Sequence, residues 1–91
     1  MKATKMLRTC KLVLQELEDL EEMLPFIPGD QRADQFIHES RGAVTELQLI
    51  AKFETVDNVT SEQALHIRTI QGRINKLRNM VPEDIRKEFG D

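Results

Sequence analysis

A chain of 91 residues with 40% hydrophobic, 32% charged and 4% aromatic side chains has room for one small core and no second domain, since domains usually run to about 100 to 150 residues. Its net charge of −3, from 13 Lys and Arg against 16 Asp and Glu, lacks the basic excess of a dedicated nucleic-acid binder. The single Cys10 excludes an intrachain disulfide and a cysteine-based zinc cluster, so packing alone must hold the fold.

Met6, Cys10, Val13, Leu17, Leu20 and Leu24 recur at intervals of 4, 3, 4, 3 and 4, which keeps them on one face of an α-helix. The spacing predicts a first helix over residues 3–23. It stops at Leu24-Pro25-Phe26-Ile27-Pro28-Gly29, where two prolines remove backbone donors and restrict the residues before them. Asp30 is then the expected N-cap of a second helix over residues 31–54. Its inward stripe is Ala33, Ile37, Ser40, Val44, Leu47 and Ala51, flanked by Phe36, Ala43 and Ile50.

After the polar stretch from Thr55 to Val59, Thr60-Ser61-Glu62-Gln63 carries a capping box. The Thr60 hydroxyl can accept from the backbone three residues on while Gln63 reaches back, and Val59 against Ala64 would complete a hydrophobic staple. Ile67, Ile70, Ile74, Leu77 and Val81 then mark a third helix over residues 61–80. Pro82-Glu83-Asp84 restarts the chain with the fixed φ and acidic first turn that favour a helix start, and a short helix over residues 82–89 follows, carrying Ile85 and Phe89. Residues 1–91 therefore read as one all-α domain. It is either a three-helix up-down-up bundle or a helical hairpin plus an N-terminal helix, closed by a short C-terminal helix.

The charge order of the first helix is unusual. Lys2, Lys5, Arg8 and Lys11 crowd its start, and Glu16, Glu18, Asp19, Glu21 and Glu22 crowd its end, against the helix macrodipole. In an up-down-up bundle, helices one and three are parallel, which would set the acidic end beside Arg73, Lys76 and Arg78 and the basic start near Glu54 and Asp57. Antiparallel pairing of helix one with a second copy satisfies the same charges across a two-fold axis. Charge matching favours the internal arrangement and leaves the second open.

No constellation carries chemistry. His38-Glu39 begins like a metalloprotease motif, but Gly42 occupies the position of the second histidine, so the spacing needed to share a metal is missing. His66 is the one histidine of helix three and reads as solvated. Cys10 falls in an apolar stripe, where a thiol behaves as a small hydrophobe. His66, Arg68, Arg73, Lys76 and Arg78 make helix three locally basic; at about 100° per residue they scatter around the axis, and no aromatic is interleaved for base stacking. The expectation is a protein without enzymatic activity, cofactor, metal or membrane contact, and with direct nucleic-acid binding disfavoured. No stretch approaches the roughly 18 apolar residues of a membrane span, and an acidic run follows the basic residues 1–11 in place of a signal-peptide core. A cytoplasmic location fits. Asn58-Val59-Thr60 matches a glycosylation sequon, read here as a helix entry.

Gly42 and Gly72 interrupt helices at a cost of about 1 kcal/mol each relative to Ala. Taking Asp57 as the hairpin midpoint places both glycines at the same height. Each points away from its own apolar stripe: Gly42 shares an outer face with Leu49 and Phe53, and Gly72 with Leu65. One reading is tolerated surface glycines with scattered apolar neighbours. The other is a close backbone contact between the outer face of helix two and that of helix three from another copy.

Phe36 and Glu46-Leu47 in the first arm, with Gln71-Gly72-Arg73 and Leu77-Arg78 in the second, resemble a loose group of short helical-hairpin proteins of tailed bacteriophages, often encoded near head and portal genes. The resemblance covers residues 36–77. It implies a structural or accessory phage protein without enzymatic chemistry, in the host cytoplasm or the virion, and it transfers no functional residue.

Two functional expectations result. The first is a non-enzymatic protein-protein assembly module, homo-oligomeric through helical faces that include Gly42, Leu49, Phe53, Leu65 and Gly72. The alternative is a small acidic regulator whose Glu18, Asp19 and Glu22, with their acidic neighbours, imitate a phosphate track and inhibit a host or phage enzyme, one acting on nucleic acid being among the candidates.

Overall fold

The computed structural model describes residues 3–27, 31–53 and 60–89. Among these the regular elements are all helical: α1 over Ala3–Met23, a 3-10 turn over Leu24–Phe26, α2 over Gln31–Phe53, α3 over Ser61–Arg78 and a short α4 over Glu83–Lys87. The molecule is an all-α bundle, elongated to 43 × 24 × 17 Å.

Each stripe read from the sequence faces inward. On α1, Met6, Cys10, Val13, Leu17 and Leu20 are fully buried. Met23 joins them in place of Leu24, because the 3-10 turn beginning at Leu24 rotates that residue partly out of the seam. On α2 the six expected inward positions are all buried, Ser40 among them, and on α3 the buried set is Ile67, Ile70, Ile74 and Leu77, continued by Val81. Leu7, Leu14, Phe36, Ile85 and Phe89 pack around this core while partly exposed.

The helices are not equally close. Along their length α1 and α2 approach each other tightly, α1 and α3 less so, and α2 and α3 only sparsely. Side-chain size accounts for this, since interaxial distance follows the residues at the contact. The inward face of α2 offers Ala33, Ser40 and Ala51, whereas α3 presents Ile67, Ile70 and Ile74. Helix one is therefore the spine of the bundle and not an appendage to an α2–α3 hairpin. The order is up-down-up: Glu21 near the end of α1 pairs with Arg41 in the first half of α2, and Glu16 feels the charge of Arg78 at the end of α3.

Several local expectations hold atom by atom. The Thr60 hydroxyl accepts from the Gln63 backbone N–H at 3.2 Å and the Gln63 side chain accepts from the Thr60 N–H at 3.1 Å, closing the capping box. The partner positions Val59, Asp30 and the Pro28-Gly29 pair lie outside the described residues. Other boundaries shift. Helix α3 ends at Arg78, two residues before the expected Met80, because Met80 and Val81 donate to Leu77 and Arg78 at 3.1 and 3.0 Å in tight turns. Those turns aim Val81 into the core. Pro82 stands just before α4 as its N-cap, and residues 88–89 form a turn, so α4 is shorter at both ends than the expected 82–89. The described part of α2 closes at Phe53, one residue before the expected end.

Candidate interaction surfaces

Helices α2, α3 and α4 each carry an acid in the first turn and a base in the last, whereas α1 has neither. Its reversed charge is only partly compensated inside the bundle. Arg41 of α2, rather than Arg73 or Lys76 of α3, reaches Glu21. Burial pushes the Glu16 carboxyl above its ordinary value; Arg78 pulls it back and Asp19 adds to the rise. Asp19 accepts from the Gln15 amide on its own helix at 3.1 Å. Glu18 and Glu22 are exposed and line a shallow depression with Leu14, Glu21, Arg41 and Thr45. At the other end Lys5, Arg8 and Lys11 are exposed, and no ion pair joins them to another described residue. The expected neighbours Glu54 and Asp57 lie outside the described residues.

Arg73 is engaged elsewhere. Its guanidinium lies 5.4 Å from the centre of the Phe36 ring, a cation–π contact across the sparse α2–α3 seam. This groove is also lined by Ala43 and His66.

Both glycines are exposed, and a Cβ added at either would have no neighbour within 4 Å. No intramolecular packing requires them. Leu49, Phe53 and Leu65 are also largely out in solvent, at 52%, 71% and 64% exposure. On α3, Gly72 sits in a shallow depression with Thr69, Lys76 and Met80, the last 55% exposed. The α2 set and the α3 set occupy the outward faces of two different helices.

Three features escaped the sequence reading. Leu12, 57% exposed, lies midway along the outward face of α1, and its departure from the buried stripe was legible by helical bookkeeping. Arg41 as partner of Glu21 had no local signal, since it depends on how α1 and α2 dock. At the α3–α4 junction, Arg86 donates to Asn79 at 3.1 Å, while its buried Nε has no partner among the described residues.

Cys10 has no exposure, and burial pushes its thiol up. His38, Glu39 and His66 are exposed. Among the described residues no three His, Cys, Asp or Glu side chains converge as a metal site, and no helix is long and apolar enough to cross a membrane. No protein-family model, curated protein or solved structure matches the chain.

Proposed function

We propose that the protein is a non-enzymatic assembly module that self-associates through the outward faces of its helices. The observation that carries this reading is the pairing of two helix-interior glycines with exposed large hydrophobics on outer faces: Gly42 with Leu49 and Phe53, Gly72 with Leu65. Each glycine weakens its helix by about 0.5 to 1 kcal/mol relative to alanine, yet neither is needed for packing within the chain. Close approach of another backbone gives both a purpose. The α2 face of one copy would meet the α3 face of the next, a heterologous contact that closes into a ring or extends as a filament. The resemblance to phage helical-hairpin proteins accords with such a structural or accessory role.

The acidic-mimic reading has less support. A phosphate track needs a continuous free run, whereas Glu21 in the middle of this one is paired with Arg41.

Gly42→Arg tests the assembly. An arginine is a better helix former than glycine, and the open space around Gly42 lets the variant fold at least as well. Light scattering should show the wild-type mass above that of one chain and the variant mass reduced, with the helical circular dichroism unchanged. An oligomer that survives the substitution overturns the contact, and a monomeric wild type overturns the reading.

A further inference from the structure

The outward side of α1 carries a second seam. Lys5, Arg8, Leu12, Gln15, Asp19 and Glu22 recur at intervals of 3, 4, 3, 4 and 3, the spacing that keeps residues in line along a helix–helix contact of shallow crossing angle. All are exposed except Asp19, which is partly so. They lie opposite the buried stripe from Met6 to Leu20, on the side that α2 and α3 leave uncovered. The order along the seam is two bases, Leu12, Gln15, then two acids. It is its own complement when reversed.

We infer that α1 pairs antiparallel with α1 of a second copy through this seam, about a two-fold axis passing between Leu12 and Gln15. Lys5 then faces the partner's Glu22, Arg8 faces the partner's Asp19, and Leu12 faces the partner's Gln15, each contact occurring twice by symmetry. The two Leu12 side chains meet near the axis and bury the one large apolar group that the outer face exposes. Parallel pairing in register would oppose Lys5 to its equivalent and Asp19 to its equivalent, which like charges disfavour. Direction is therefore set by charge.

The same contact gives a reason for the order of charges. Bases at the N-terminus and acids at the C-terminus work against the macrodipole of α1, and inside the bundle the outward bases have no acidic partner among the described residues. Pairing in trans supplies one. A single helix face is small beside the roughly 1,600 Å² of a standard stable interface, so the dimer is weak and reversible. Its exposed charges make it salt-sensitive, since screening sets in over about 10 Å at 0.1 M salt. The inference builds on self-association but uses a face separate from Gly42 and Gly72, and an isologous contact here would join α2–α3 rings or filaments side by side.

A charge exchange tests it. Lys5→Glu with Arg8→Glu makes the seam wholly acidic, and Asp19→Lys with Glu22→Lys makes it wholly basic. Both double variants bring α1 into line with its macrodipole, so folding is not put at risk. In analytical ultracentrifugation at 50 mM salt, each variant alone should lose the two-fold association, with a dissociation constant raised at least tenfold. An equimolar mixture should recover it as a hetero-pair, and 500 mM salt should weaken wild type and mixture alike. Variants that keep the wild-type mass, or a mixture that fails to associate, overturn the α1 pairing. Gly42→Arg separates the two contacts: if it alone lowers the mass, the α2–α3 assembly stands and the α1 pairing falls, and if only the charge variants lower it, the reverse holds. A wild type that is monomeric at 50 mM salt removes both.

Discussion

The α1–α2 seam and the α2–α3 seam are built from the same kind of amphipathic helix and end up unlike. Between α1 and α2 the backbones come close, in keeping with the small Ala33, Ser40 and Ala51 on the buried face of α2. Between α2 and α3 little backbone approaches, and the groove is bridged near its surface by Arg73 over Phe36. The first seam is held by apolar area removed from water, at about 25 cal/mol per Å². The second is a consequence of both helices leaning on α1. Sequence proximity, with α2 and α3 adjacent along the chain, did not decide which pair packs tightly; residue size did.

The largest effect should come from the spine. Leu17→Ala empties a fully buried site and is expected to cost about 3 kcal/mol or more, read as a lowered urea midpoint with an unchanged m-value. For a domain this small that is a large share of its stability. Next in size is Ala33→Leu, which forces bulk into the close seam and should cost about 1 to 3 kcal/mol. Ile70→Leu on α3 conserves volume and should cost less than about 1.5 kcal/mol. Equal costs for these two would break the contrast between a close and an open seam.

The α2–α3 bridge is smaller. A double-mutant cycle on Phe36→Leu and Arg73→Gln should return a coupling of about 0.5 to 1 kcal/mol. A coupling of several kcal/mol would mean that the outer groove carries stability assigned here to α1.

The smallest effect concerns Glu16. Its carboxyl titrates above the usual range because burial disfavours the charged form more than Arg78 favours it. Folding therefore binds a proton more readily there than the unfolded chain does, so this residue's contribution is most favourable at low pH and is lost as pH rises through the folded pKa. Glu16→Gln should equal or slightly exceed wild type in stability at pH 7, by a few tenths of a kcal/mol given its partial exposure. The advantage should shrink as pH falls below the normal carboxylate range. Denaturant melts of both proteins at pH 7 and pH 4 check the sign, and a variant less stable at pH 7 would make Arg78 the dominant neighbour.

Much of the fold was legible in one dimension. The inward stripes of α2 and α3, nearly all of that of α1, and the Thr60 capping box depend on local periodicity and on hydrogen bonds a few residues apart. Candidate surface residues were legible to the same depth: helical bookkeeping placed Gly42, Leu49, Phe53, Leu65 and Gly72 on outward faces, where they lie. The misses cluster where geometry between helices matters. Met23 replaced Leu24 because a 3-10 turn changed the angular step. Of the three α3 bases expected beside the acidic end of α1, Arg78 acts on Glu16, while Glu21 pairs with Arg41 of α2 and Arg73 turns to Phe36.

By itself, then, the sequence determined where the helices lie to within two residues at their ends, which face of each is apolar and that α1 is polarised from basic to acidic, because these follow from a 3.6-residue period and the order of charges along the chain. Only the tertiary structure decided that α1 is the spine, that Arg41 captures Glu21 and that the seam from Lys5 to Glu22 is left facing solvent. Those outcomes depend on how closely three helices can approach, which the volumes of Ala33, Ala51, Ile67 and Ile74 fix once they meet across a shared core.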